Sequence, residues 1–457
     1  MCGVIGVYNV PGTLNTILDG LHALQHRGQE AVGVALADGK SFIPSSPHRI
    51  LGLVRDYRQW PGALPKTILL GTGHVRYATS GGHASLENAQ PLTIPTRFGP
   101  FTLAHNGDTP EFEQERARLE KLGRRFLSSA DTEVLGESIA ARTEEGADLK
   151  EAMLEALADF KGAFSLVMST ASSLIGCRDP FGYRPLCLGR LGEGWVLASE
   201  TCALQILRAE YVRDIEPGEL VWIDDQGLQS FRFGEPKSSL QQCVFELIYF
   251  SRPDSMVFNR HADGMRKALG EKLAEEVGEL LHEDMVFVPV LNSGMYAADG
   301  YARRAGVTLD HALVRNGYSE RTFIKNGDEG RDDEVRTKFN PITHRVEGKW
   351  VVLIDDSLVR GTTMRRLVSM MKQNGARGVT LLIASPPIFH PCRYGIDMKT
   401  YEQLLAAVKK GDLEEIRSFV GADELHYLSL KGLREVVEEE GKSTDFCFAC
   451  FDGKYAL

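Results

Sequence analysis

The sequence has no apolar run long enough to cross a membrane. Its longest, at residues 286–291 and 351–354, are a few residues each, against the roughly 20 that a spanning helix needs. A basic excess is missing too: 62 acidic residues face 52 basic ones, for a formal charge of −10. That argues against a nucleic-acid or membrane partner, while leaving room for a local basic pocket that takes a small phosphorylated ligand. No leader-like segment opens the chain, since Met1 is followed at once by Cys2-Gly3, so a cytoplasmic protein is expected. Cysteine is sparse and scattered: Cys2, Cys177, Cys187, Cys202, Cys243, Cys392, Cys447 and Cys450. Metal or catalytic use is a better expectation for them than a disulfide framework. With 43% hydrophobic and 25% charged residues the chain is ordinary globular protein, and 457 residues allow about three domains at roughly 150 each or two larger ones.

Two styles of sequence follow one another. In the first half, residues 3–8, 67–71, 101–104, 163–168 and 195–198 are short Val/Ile/Phe-containing runs flanked by glycine or proline, which read as strands. Helical patterns lie at 110–122 and 131–143. This half is expected to be an α+β domain with a sheet-rich core, followed by a linker at 234–239. In the second half, strand patterns at 286–291, 311–314, 351–354 and 380–384 alternate with helices. Met364, Leu367, Val368 and Met371 recur at helical spacing before Gly375. Alternating β and α elements predict a parallel sheet covered on both faces. The tail at 401–440 is expected to be helical, charged and peripheral.

Cys2 becomes the first residue once Met1 is removed. An N-terminal cysteine carries nucleophile and base on one residue, because the α-amine can take the thiol proton near neutral pH. Three polar motifs accompany it: Gly73-His74-Val75-Arg76-Tyr77-Ala78-Thr79, His105-Asn106-Gly107 and Ser128-Ser129-Ala130-Asp131. An arginine clamps a carboxylate, an aspartate holds an ammonium group, and an asparagine amide with the next backbone N–H stabilises an oxyanion. Together they suit a free amino acid held at both ends before a thiolate. With Leu24-Gln25-His26-Arg27-Gly28-Gln29-Glu30, this half resembles the N-terminal-nucleophile (Ntn) glutamine amidotransferases, whose domain is an αββα sandwich. The resemblance implies Cys2 as nucleophile, Asn106 and Gly107 as oxyanion hole, and Arg76 and Asp131 as glutamine-binding residues. Arg27 joins them as a support of the site.

The run Val351-Val352-Leu353-Ile354-Asp355-Asp356-Ser357-Leu358-Val359-Arg360-Gly361-Thr362-Thr363 reads as a buried strand ending in two carboxylates. A loop that opens a helix follows. Its backbone N–H groups and hydroxyls suit a monophosphate, and the carboxylates suit vicinal sugar hydroxyls. The run resembles the phosphoribosyl pyrophosphate (PRPP) signature of type I phosphoribosyltransferases, an α/β domain with a parallel sheet. Joined to the first half, the whole chain resembles the glutamine PRPP amidotransferase family, with domains at 2–235 and 240–457. That resemblance implies Mg²⁺ at Asn292, Asp355 and Asp356, and the 5′-phosphate on Ser357, Arg360, Gly361, Thr362 and Thr363. It further implies a structural 4Fe-4S cluster on Cys243, Cys392, Cys447 and Cys450, with tetrahedral zinc as the chemical runner-up. Cys177, Cys187 and Cys202 read as buried apolar residues. Homo-oligomers, usually tetramers, and feedback by purine nucleotides also follow from the family.

Departures gather in one place. Where the family carries Pro-Asp/Glu-Ser/Thr in its pyrophosphate loop, this chain has Val290-Leu291-Asn292-Ser293-Gly294. A family lysine is Arg315, a family arginine is Gly317, and a proline and a glutamine are replaced within Lys325-Asn326-Gly327-Asp328. These changes admit two alternatives: a diverged paralogue serving another phosphoribosyl substrate, or a PRPP- or nucleotide-binding regulator without turnover.

Overall fold

The computed structural model describes the chain apart from residues 58, 78–84, 111, 236, 238, 317–338 and 439–445. The replaced loop positions at 317 and 325–328 therefore lie outside the described residues.

The N-terminal half is built on two antiparallel sheets. One runs Glu210–Asp214, Cys187–Leu191, Gly194–Ala198, Gly3–Tyr8, Leu70–Arg76, Ala31–Ala37, His48–Leu51. The other runs Gly227–Arg232, Glu219–Asp224, Leu174–Arg178, Ala163–Ser169, Phe101–Asp108, Leu92–Ile94. Period-two alternation explains their stacking. In Gly3–Tyr8, Val4 and Tyr8 turn toward Ala104, Val167 and Val221 of the facing sheet. Ile5 and Val7 turn outward to Ile17 and Leu21 of the helix Thr13–Ala23. On the far side, Asp131–Glu145 and Leu149–Asp159 bury Leu135, Ile139 and Met153 against Phe101, Leu103 and Leu166. The result is helix, sheet, sheet, helix, as the resemblance implied.

The C-terminal half has four parallel strands in the order Met285–Pro289, Trp350–Asp355, Gly378–Ile383, Glu424–Tyr427. In the central strand Val351 and Leu353 meet Met364, Leu367 and Val368 of the helix Thr362–Gln373. Val352 and Ile354 face Leu269, Ala298 and Tyr301 on the other side. A strand with no polar face needs helices on both faces, and has them.

Four expectations shift. The strand expected at 67–71 is Leu70–Arg76, whose Gly71, Thr72, Gly73 and His74 carry no apolar pattern although all are buried. The 311–314 strand does not join the parallel sheet. That sheet is touched by a single bridge, Phe287 to Leu309, after which Leu313–Arg315 pairs antiparallel with Phe339–Pro341. The tail is not only helical, because Glu424–Tyr427 is the sheet's fourth strand. An edge strand of half-exposed, mostly polar residues gives little sequence signal. Finally, the expected linker is no free tether: Lys237, Gln241 and Cys243 donate backbone N–H groups to Pro180, Phe181 and Tyr183 of the first half. Among the described residues, no helix is long and apolar enough to cross a membrane.

Candidate active sites

The first site forms where Gly3–Tyr8, Leu70–Arg76 and Phe101–Asp108 approach one another across the two sheets. Cys2, Arg76, Tyr77, Asn88, Gln90, His105, Gly107, Ala130, Asp131 and Thr132 line one cavity. The Cys2 backbone N–H donates to Asn106 Oδ1 at 3.2 Å, and Cys2 Sγ lies 3.6 Å from the Tyr77 carbonyl. Asn106 is fully buried, and its Nδ2 has no hydrogen-bond partner among the described residues. An orphaned buried donor beside a thiol is costly in the empty site and suits an oxyanion. Burial pushes the Cys2 thiol up, against the pull of the nearby amino terminus.

Asp131 opens its helix and accepts from the Thr109 N–H at 3.0 Å and the Thr132 N–H at 2.8 Å. Burial acts to raise its carboxyl, but His105 at 3.7 Å and these N–H groups hold it below the usual range. Arg76 reaches Glu30 at 3.5 Å. Arg27 does not line the cavity. It is fully buried behind Cys2, with Nε on the Cys2 carbonyl at 3.0 Å. Its remaining nitrogens pair with Glu200, and with Glu246 at 2.7 and 3.1 Å. Glu246 also meets Arg184 at 3.5 Å, so two arginines and two glutamates sit wholly buried across the join of the halves. Burial acts to raise the Glu200 carboxyl; His26 and Arg27 outweigh it and hold the group well below its usual range.

Sequence reasoning missed Gln90, Asn88, Glu200, Glu246 and Arg184. Gln90 accepts from the His105 N–H at 2.7 Å and donates to Thr132 Oγ1 at 2.9 Å. Asn88 accepts from the Ser129 N–H at 3.0 Å. Both therefore prop the loop that carries Asp131. The only sequence cue was the Asn88-Ala89-Gln90-Pro91 run, whose glutamine–proline bond is cis.

The second site stands at the carboxyl end of Trp350–Asp355. Asp355 Oδ1 accepts from the Asp356 N–H at 2.9 Å and from Ser293 Oγ at 3.2 Å, which sets the loop 290–294 against the carboxylates. Asp356 Oδ1 accepts from Ser357 Oγ at 2.6 Å. Its Oδ2 is buried with no partner among the described residues. Burial and mutual repulsion raise the Asp355 carboxyl well above its ordinary range, and burial raises Asp356. A vacant lone pair and two strained carboxyls fit a ligand that brings hydroxyl donors or a cation. Asn292 is exposed. Gly361 caps the helix Thr362–Gln373 at φ 75°, a conformation a side chain resists, and leaves the N-terminal N–H groups open for an anion. Arg360 is exposed, reaching Asp397 at 3.4 Å. Arg266, which the sequence reading passed over, is buried near Asp356.

The four late cysteines converge. Cys243 and Cys447 are register partners in a parallel strand pair, Gln242–Cys243 with Phe446–Cys447. Cys392 packs with Cys447, and Phe389 and His390 donate their N–H groups to the Cys450 carbonyl at 3.0 Å. Burial pushes the Cys243 thiol up to about 11, and that of Cys450 well above the ordinary range. Within reach of each of these two lies Cys392, and Cys450 also feels Cys243 and Cys447. All are free thiols. No group of three or more His, Cys, Asp or Glu among the described residues is arranged for a single metal ion. Cys177, Cys187 and Cys202 are buried and remote from this group, in the cores of the first half.

Comparison with known proteins finds matches for both halves of the chain. The glutamine amidotransferase domain family matches residues 74–206 and the phosphoribosyl transferase domain family matches residues 261–386. The class is thus a glutamine amidotransferase joined to a phosphoribosyltransferase. The amidophosphoribosyltransferase of Bacillus subtilis is 41% identical, covering 99% of this chain and 94% of its own length. That of Archaeoglobus fulgidus is 39% identical, covering 100% and 98%. Among solved structures, glutamine PRPP amidotransferase from B. subtilis complexed with ADP and GMP superposes with a TM-score of 0.89 at 40% identity, covering 100% of this chain and 97% of its own. The chain belongs to the amidophosphoribosyltransferase family.

Proposed function

We propose that the protein converts PRPP, glutamine and water into 5-phosphoribosylamine, glutamate and pyrophosphate, the committing step of purine synthesis, in the cytosol. The observation that carries this reading is the pairing, in one chain, of the Cys2–Gly107–Asp131 cavity, backed by Asn106, with the Asp355–Thr363 loop. Residues 2–235 form the glutaminase and residues 240–457 the transferase. With Met1 removed, the α-amine of Cys2 takes the thiol proton, and the thiolate attacks the glutamine side-chain amide. Asn106 Nδ2 and the Gly107 N–H receive the oxyanion, while Arg76 and Asp131 hold the carboxylate and ammonium ends. Ammonia leaves, and water cleaves the thioester to glutamate.

In the second half the ribose hydroxyls lie on Asp355 and Asp356, and the 5′-phosphate on Ser357, Arg360, Gly361, Thr362 and Thr363. Ammonia travels internally and attacks the anomeric carbon, and pyrophosphate departs. Asp355 and Asp356, with Asn292 alongside, would hold Mg²⁺, which when bound would supply positive charge beside the leaving pyrophosphate. Cys243, Cys392, Cys447 and Cys450 would hold a structural 4Fe-4S cluster, a reading supported by four convergent free thiols. The enzyme acts as a homo-oligomer under purine-nucleotide feedback; the solved relative bound to ADP and GMP supports nucleotide binding.

The test is anaerobically purified protein with glutamine, PRPP and Mg²⁺, with glutamate and pyrophosphate release followed together. Equal, PRPP-dependent release supports the reading. Glutamate without pyrophosphate refutes it and favours the diverged paralogue, with the altered loop at 290–294 as the cause. Iron and acid-labile sulfide in the pure protein, lost in Cys450→Ser, support the cluster; zinc in their place excludes it.

A further inference from the structure

We propose that Lys399, in the transferase half, is a positioning residue for the glutamine site and ties it to the state of the phosphate loop. The proposal rests on the function proposed above.

Residues 392–399 touch both active sites within a single short stretch. At one end the Tyr394 ring stacks on Tyr183 with centroids 4.2 Å apart, and the Tyr394 carbonyl accepts from Arg184 Nε at 2.8 Å. Next, Gly395 lies directly on the backbone of Gly107. A Cβ at Gly395 would stand 3.0–3.2 Å from the carbonyl carbon, oxygen and Cα of Gly107, and its φ is +111°. The wall behind the oxyanion strand is therefore backbone of the other half. Two residues on, the Asp397 carboxylate and carbonyl both take Arg360 Nη2 at 3.4 Å. Last, Lys399 Nζ donates to Asp108 Oδ2 at 2.7 Å.

Asp108 follows Gly107 on the same strand and is 7% exposed. Burial and Asp131 push its carboxyl up, and Lys399 is the largest opposing influence. Without that ammonium, Asp108 and Asp131 are two nearby carboxylates sharing His105. Either Asp131 then shares its proton balance or the strand end shifts, and each outcome moves the glutamine pocket. The other end of the stretch is held loosely. Arg360 is exposed, and a phosphate competes well for a guanidinium held at 3.4 Å by one carboxylate. Arrival of a phosphorylated ligand thus releases Asp397, two residues from the ammonium that fastens Asp108.

Lys399 touches neither substrate, so a merely structural role predicts lost stability with unchanged coupling. The experiment compares full-length wild type, Lys399→Met and Lys399→Arg. It measures glutaminase rate with and without PRPP and Mg²⁺, KM for glutamine, and pyrophosphate release driven by ammonia. Expected for Lys399→Met is a loss of PRPP stimulation of about tenfold with raised KM for glutamine, the scale of one charged hydrogen bond. Ammonia-driven release should stay within about twofold of wild type, and Lys399→Arg should restore most of the stimulation. Unchanged stimulation in Lys399→Met overturns the proposal, as does a loss that arginine fails to rescue. Should Lys399→Met not fold, Asp108→Asn removes the same ion pair at nearly constant size: lost PRPP stimulation with ammonia-driven release retained supports the proposal, and unchanged stimulation overturns it. Wild-type ammonia-driven release judges the function itself: its absence sinks that reading, whereas its presence with unaltered variants sinks only the coupling.

Discussion

Around Cys2 most polar atoms already have partners: Asp131 is held by two backbone N–H groups, Gln90 by His105 and Thr132, and Arg27 by two glutamates and the Cys2 carbonyl. Around Asp355 the balance is reversed, with an orphaned oxygen, two carboxyls raised by burial and repulsion, and an arginine in solvent. The first half spends its stability on a prebuilt site for a small zwitterion. The second keeps unfavourable charge in store, which a ligand with hydroxyl donors and a cation relieves. Preorganisation and stored strain are thus divided between the halves, and the buried Arg27–Glu246–Arg184 group is where they meet.

The largest effect expected is on Cys2. Cys2→Ala should lower glutamine-dependent turnover by three decades or more while sparing ammonia-driven pyrophosphate release. If both activities fall together, the halves do not divide the chemistry. Glu246→Ala leaves Arg27 and Arg184 buried without their shared carboxylate. A loss of about 3–5 kcal/mol in urea unfolding is expected, and a loss below about 1 kcal/mol would mean that the join does not depend on this group. Asp356→Asn should reduce ammonia-driven release by about two decades. It should also raise the melting temperature of the ligand-free protein, because it removes the repulsion between the two carboxylates; an unchanged melting temperature would count against any strain in the second site.

An effect that vanishes at neutral pH sharpens the first half. His74 is fully buried, and burial lowers its pKa from 6.5 to about 3. The unfolded chain takes up that proton near pH 6.5 and the folded chain does not. Stability therefore falls as pH drops from about 6.5 toward 3, by at most about 1.4 kcal/mol per pH unit. His74→Gln should flatten that acid limb in denaturant titrations at pH 7, 6, 5 and 4. An equally steep limb would assign acid lability to other groups.

The residues legible in the sequence were those whose meaning is local. Cys2, His105-Asn106-Gly107 and Asp355–Thr363 sit in short runs where the strand ends and the chemistry begins. The parallel sheet followed from the β/α rhythm, whereas the patterns of the first half gave only an α+β domain and its αββα layering came from the resemblance. What stayed hidden depends on distance along the chain. Glu246 lies 219 positions from Arg27, and Lys399 lies 291 positions from Asp108. In a sequence each reads as an ordinary surface charge. Glu424–Tyr427 was hidden because an edge strand wears the polar residues of a helix surface, and the buried partners of Arg27, expected only as a support of the site, were hidden by distance.

The parallel pairing of Gln242–Cys243 with Phe446–Cys447 also has a bearing on biosynthesis. The first of these strands emerges from the ribosome some two hundred residues before its partner exists. At roughly 5–20 residues per second, that is a delay of about ten to forty seconds. Through that interval Gln242–Cys243 has no partner strand, and Cys392 is the one other thiol of the group to appear. The four-thiol site proposed above is complete only once Cys447 and Cys450 have been made, so it is assembled at the very end of synthesis.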